Sequence, residues 1–97
     1  MSYLIRSAEQ KDIPVIYRFI CLLEETDFNF ILFESICVKN LCNEDLIYLV
    51  AESHTDGIIG VISCHTQNLL HHCGRVAEIQ ELFVEEHFRG LGTGNSL

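Results

Sequence analysis

The stretch VAEIQELFVEEHFRGLGTG, Val76 to Gly94, decides the fold. It begins with the apolar alternation of a strand and ends in a glycine-rich turn that predicts a helix from about Gly92. The apolar residues Ile79, Leu82 and Val84 do not keep one period of two, because Ile79 to Leu82 is a step of three. One extra residue in an extended strand is a β-bulge, and bulges re-aim backbone groups beside sites. A polar link, Glu85-Glu86-His87, leads to Arg89-Gly90-Leu91-Gly92-Thr93-Gly94. Glycines there let the backbone turn tightly and bring its N–H groups close to an anion. A helix N-terminus at Gly92 adds its dipole to that anion site. The plain alternative is a flexible turn that holds nothing.

Working outward, Tyr3 to Ser7 reads as a short first strand. Asp12 is a good N-cap, with Pro14 in the first turn, where a missing N–H costs least. Ile13, Ile16, Phe19, Ile20 and Leu23 then recur at helical spacing, which predicts a helix from Asp12 to about Glu25. Asp27 is placed to cap a second helix, on which Phe30, Phe33, Cys37 and Leu41 share one face; such aromatics are more often core than a ligand box. Leu46 to Ala51 is a continuous apolar run and reads as a strand buried on both faces. Asp56-Gly57 signals a tight hairpin, and Ile58 to about Gln67 is the returning strand, with Gly60 marking a bulge or a close approach. Asn68 to Arg75 is a loop carrying His71-His72-Cys73, after which the organising strand returns antiparallel. The expected class is α+β, a mixed and mostly antiparallel sheet flanked by helices, in one domain spanning residues 1–97.

Composition bounds the function. Of 97 residues, 48% are hydrophobic and 21% charged, so the chain should fold as one domain with a core. The net charge of −8 argues against nucleic acid, whose phosphates attract basic surfaces. It suits a cationic amine, but acidic proteins are common without such a reason. The five cysteines are odd in number and form no CxxC, which fits reduced thiols in a cytoplasmic protein. No apolar run approaches the ~20 residues of a membrane span.

Arg89-x-x-Gly92-x-Gly94, following Ala77-Glu78-Ile79 and Leu82-x-Val84, resembles the signature of the GNAT N-acetyltransferases, and the order of elements across the whole chain resembles theirs. Within that superfamily, Cys21-x-Leu23-Glu24, Asp27-Phe28, Leu70-His71-His72 and Glu78-Ile79-Gln80-Glu81-Leu82 followed by Arg89-Gly90-Leu91 look like the aminoalkylphosphonate N-acetyltransferases. Gly92 departs from that group, which often lacks a glycine there, toward the general signature. The resemblance implies acetyl-CoA as cosubstrate and the primary amine of a small molecule as acceptor. It implies that Arg89, Gly90, Leu91, Gly92, Thr93 and Gly94 hold the cofactor's pyrophosphate. The backbone of Leu82, Phe83 and Val84 would pair with the pantetheine arm and polarise the thioester carbonyl.

An alkylammonium must lose a proton before it attacks a thioester, and a carboxylate is suited to take it. The resemblance places Glu78 as that base. Glu81 is the second candidate, or the anchor of the substrate ammonium. A solvated strand-face carboxylate is the bland alternative for either. Phe28, His71 and His72 are expected at the acceptor side. With Cys73 and His65 the histidines form a cluster of metal-ligating types, but no pair has zinc-finger spacing, so no metal ligand is assigned. Solvent-facing loop histidines are the plainer reading. The subfamily resemblance leaves open a divalent ion beside a phosphonate.

The family pattern continues past Leu97 with the rest of the helix, a fifth strand and a tyrosine that protonates the leaving thiolate. The expectation is therefore a domain whose C-terminal part is missing, since Tyr3, Tyr17 and Tyr48 lie in the wrong elements to serve. Two readings follow: the N-terminal part of a small-amine acetyltransferase, or an inactive remnant that self-associates. The strand Val76 to Val84 would then present an open edge with Ile79, Leu82, Phe83 and Val84, a template for a homodimer or larger homo-oligomer.

Overall fold

A computed structural model describes residues 3–70 and 73–89. Four strands form one antiparallel sheet in sequence order: β1 (Tyr3–Ser7), β2 (Leu46–Ser53), β3 (Gly57–Leu69) and β4 (Gly74–Val84). Two helices, α1 (Ile13–Glu24) and α2 (Phe30–Leu41), connect β1 to β2. The expected α+β class and element order are both present.

The apolar stripe of α1 explains the core. Ile16 and Phe19 pack with Val50, Val61 and Phe83 from the three long strands. Phe19 is fully buried, and its ring stacks on Phe83 with centroids 4.7 Å apart and planes 27° from parallel. Such a ring pair adds about 0.5–1.5 kcal/mol beyond its area burial. Phe83 and Val84 are therefore core residues, which corrects the expectation that they would lie bare on an open edge. Ile79 and Leu82 are exposed as expected.

The caps differ from expectation. Asp12 ends a 3₁₀ turn, Gln10–Asp12, and its side chain makes no cap bond to α1. Its carboxylate instead accepts the Glu9 N–H at 2.8 Å and a fork from Arg6, Nη1 at 2.8 Å and Nη2 at 2.9 Å. A bidentate guanidinium is a stronger partner for a buried carboxylate than a helix N–H. For α2 the cap is Asn29, not Asp27: the Asn29 Oδ1 accepts the Leu32 N–H at 3.0 Å. Two good capping residues lie two apart, and the packing of Tyr17 edge-on to Phe30 and Phe33 accompanies the later start.

Hydrogen bonds from Arg6 outweigh burial and hold the Asp12 carboxyl below the usual carboxylate range. A depressed folded-state pKa contributes stability that is complete above the unfolded value, about 3.9, and is lost as pH falls through the folded value. Asp12→Ala leaves Arg6 with Glu52, at 3.0 Å, and the exposed Glu9. The expected cost is about 3 kcal/mol at pH 7, shrinking in acid. Urea melts at pH 7 and pH 3 check this; an equal gap at both would contradict it.

The strand Leu46 to Ala51 is not buried throughout. Val50 and Ala51 are fully buried, but Ile47, near the start of the strand, is 40% exposed. The hairpin at Asp56-Gly57 forms as expected, with Gly57 at φ +75°, a region that costs glycine nothing. Next to Gly60 the register slips: Ala51 faces Gly60 while Glu52 faces Ile58, leaving Ile59 as an extra residue.

Candidate active site

The bulge read from the sequence lies in β4. Ser63 faces Glu81 and Cys64 faces Ile79, so Gln80 is the extra residue. Its consequence is chemical. Side chains on an unbroken strand alternate faces, which would put Glu78 and Glu81 on opposite sides. The extra residue brings them to one face. Three cross-strand rows cover the helix-facing side of β2, β3 and β4: Val50–Val61–Phe83, Tyr48–Ser63–Glu81 and Leu46–His65–Glu78. The surface thus grades from core, through a polar row, to an open end.

The middle row floors a cavity of about 130 Å³ between the helices and the sheet. Ile16 and Ile20 of α1 and Phe33, Ile36 and Cys37 of α2 form its walls. Its polar groups are Tyr48, Ser63 and Glu81. Ser63 is 2% exposed, and its hydroxyl donates to Glu81 Oε1 while accepting the Glu81 N–H at 3.2 Å. Tyr48 Oη accepts from Asn40 Nδ2 at 2.8 Å. Burial, opposed by that bond and reinforced by the charge of Glu81, pushes the Tyr48 phenol up, so it keeps its proton. Burial also raises the Cys37 thiol, which suits a packing role rather than a reactive one.

Of the two candidate bases, Glu81 faces the cavity and is half-buried, while Glu78 lies exposed at the open end of the same face, opposite His65. Phe28 is not a cavity residue; it precedes α2, and its carbonyl accepts from the Tyr17 hydroxyl. His71, His72, Gly90, Leu91, Gly92, Thr93 and Gly94 lie outside the described residues, as does the helix expected from Gly92. Among the described residues no three metal-ligating side chains are gathered.

After β4 a 3₁₀ turn, Glu86–Phe88, redirects the chain. Arg89 folds back, its Nε donating to the Val84 carbonyl at 2.7 Å and its guanidinium lying 5.5 Å from the centre of the Phe83 ring. Glu85 ties this end to the body of the domain through its N–H to Ile59 O at 2.8 Å and an ion pair with Arg18 at 3.2 Å. The residues present fit an extended thioester cosubstrate: β4 pairs only with β3 among the described strands, leaving its other edge for a strand-like arm.

Sequence reasoning missed Ser63 and gave Tyr48 no place at the site. The signal for Ser63 was one hydroxyl closing the apolar run Ile58 to Ile62, since a buried hydroxyl needs a partner.

Comparison with known proteins agrees with this architecture. The description "Acetyltransferase (GNAT) family" matches residues 5–97. The aminoalkylphosphonate N-acetyltransferase of Salmonella typhimurium strain LT2 is 32% identical over 93 residues, covering 96% of this chain and 60% of that protein. The chain therefore spans about 60% of the length of that curated relative. A possible acetyltransferase from Clostridium difficile 630 superposes with a TM-score of 0.82 at 21% identity, over 99% of this chain and 66% of the other. A predicted acetyltransferase from Clostridium acetobutylicum, solved with acetyl-CoA, gives a TM-score of 0.76 at 20% identity, over 98% and 68%. With the family match running from β1 through the bulged strand and the glycine-rich segment after it, this chain belongs to the GNAT acetyltransferase family.

Proposed function

We propose that the complete protein moves the acetyl group of acetyl-CoA to the primary amine of a small molecule, with an aminoalkylphosphonate as the first acceptor to test. The observation that carries this is the bulge at Gln80, which sets Glu78 and Glu81 on one face of a strand whose far edge is unpaired among the described residues. The thioester supplies the activated acyl carbon. Glu78, at the open end, takes the ammonium proton directly or through water and passes it to solvent. The freed amine nitrogen bonds to the acyl carbon, the carbon–sulfur bond breaks, and the CoA thiolate leaves to take up a proton. Backbone N–H groups within Leu82 to Val84 steady the carbonyl oxygen as it gains charge. Arg89 and the turn Gly90 to Gly94 hold the pyrophosphate. Phe28, His71 and His72 belong to the acceptor side, where a divalent ion would accompany a phosphonate. Free thiols fit the cytoplasm.

Release of free CoA thiol, measured with a panel of small primary amines and aminoalkylphosphonates, tests the reading. Amine-dependent release with matching acetylated product supports it, and none across the panel refutes it. A second reading, an inactive self-associating protein, draws on the same unpaired edge and on Ile79, 61% exposed beside it. A homodimer joined along β4 is the simplest form. Sedimentation at micromolar concentration would show the dimer; a monomer would discard it.

A further inference from the structure

Helix α2 carries more apolar surface than its own domain covers. Its sequence, FILFESICVKNL, puts apolar side chains on all sides, whereas a helix at a protein surface keeps them to one. Phe33 and Cys37 face the cavity, and Asn40 reaches Tyr48 on the same side. At 3.6 residues per turn the opposite side presents Ile31, Leu32, Ser35, Ile36 and Lys39. Ile31 is 75% exposed, Leu32 65% and Ile36 59%. Phe28, just before the helix, is exposed too. These four apolar side chains leave on the order of 400 Å² bare, a patch of the size that marks a docking surface and about half of the ~800 Å² that each partner contributes to a standard interface.

We propose that this face of α2 is the interface of a homodimer, packed antiparallel on the α2 of a second copy. The face is complementary to itself. A two-fold axis between Leu32 and Ile36 sets Leu32 of each copy against Ile36 of the other, so that the i, i+4 ridge of one helix enters the groove of the next. The same rotation carries Lys39, near the C-terminal end of one helix, to the segment before the other, which holds Asp27. Both residues are exposed, and neither forms an ion pair among the described residues. A chain of net charge −8 repels a second copy, and two crossed lysine–aspartate pairs offset part of that repulsion while fixing the orientation. Helix α2 packs on α1 and β2, and β3 separates β2 from β4. The dimer therefore leaves the far edge of β4 open, differs from a joint along that strand, and does not depend on the acetyltransferase reading.

Sedimentation of the complete protein at micromolar concentration should show a dimer. Leu32→Lys and Ile31→Lys each place an ammonium in the apolar contact and should weaken the dimer at least about a hundredfold, the scale of burying an unpaired charge. Both positions are exposed in the single chain, so the far-UV spectrum of each variant should match the parent. Ile79→Lys, on β4, should leave the dimer intact. Lys39→Glu should weaken it about tenfold, the scale of two exposed ion pairs lost together, and Lys39→Glu combined with Asp27→Lys should restore most of that loss. A monomeric parent overturns the interface, whether α2 is bare or covered by the rest of its own chain. A dimer that survives both Leu32→Lys and Ile31→Lys overturns it as well. Loss of the dimer in Ile79→Lys alone would put the contact on β4 instead. A loss in Lys39→Glu that Asp27→Lys leaves unrepaired overturns the antiparallel pairing.

Discussion

Glu78→Gln slows turnover by about 10²–10⁴-fold at neutral pH in the complete enzyme, the usual scale for loss of a general base. The amide keeps the shape and a hydrogen-bonding oxygen but cannot accept a proton at neutral pH. Affinity for acetyl-CoA should change little, because the cofactor is proposed to lie along the strand edge and the carboxylate is on its face. A variant with parental turnover and pH profile would move the base elsewhere. The bulge at Gln80 makes the alternative specific, since Glu81 is the other carboxylate on that face. A large fall in kcat in Glu81→Gln, with KM unchanged, would exchange the roles given to the two residues.

Gly92→Val combined with Gly94→Val is expected to abolish measurable acetyl-CoA binding while the fold persists. A phosphate held by main-chain N–H groups needs the backbone within hydrogen-bond reach, and branched side chains keep it away. The described domain gives an independent reason for the fold to survive. Its core is built from α1, β2, β3 and β4 upstream of both glycines. Arg89 anchors the approach through Val84 and Phe83. Calorimetry with acetyl-CoA reads the affinity, and the far-UV spectrum reads the fold. Unchanged affinity in the double variant would remove the pyrophosphate role from this turn.

Elements with strong periodicity were legible in the sequence. The stripe Ile13, Ile16, Phe19, Ile20 defined α1 because burial on one side demands that spacing. The phase slip between Ile79 and Leu82 revealed the bulge, since a strand cannot skip a residue without one. The choice among competing local partners was not legible. Asp12 and Asp27 are both good caps by type, yet one is claimed by a guanidinium from β1 and the other is displaced by Asn29. Strand burial was legible only in part. Ile47 is as apolar as Val50, yet it is 40% exposed near the start of β2 while Val50 is fully buried. At the site, the sequence showed two carboxylates three apart. Which of them enters the cavity depends on the bulge falling at Gln80 and on Ser63 standing opposite Glu81, both consequences of register.

The cosubstrate is proposed to lie along the edge of β4 that has no strand partner among the described residues. Hydrogen exchange on the complete protein, with and without saturating acetyl-CoA, tests this. The amides of Leu82, Phe83 and Val84 that point away from β3 should exchange at least about tenfold more slowly with the cofactor bound, as an added strand-like partner satisfies them. Tight binding by calorimetry with no added protection in that segment would place the cosubstrate elsewhere.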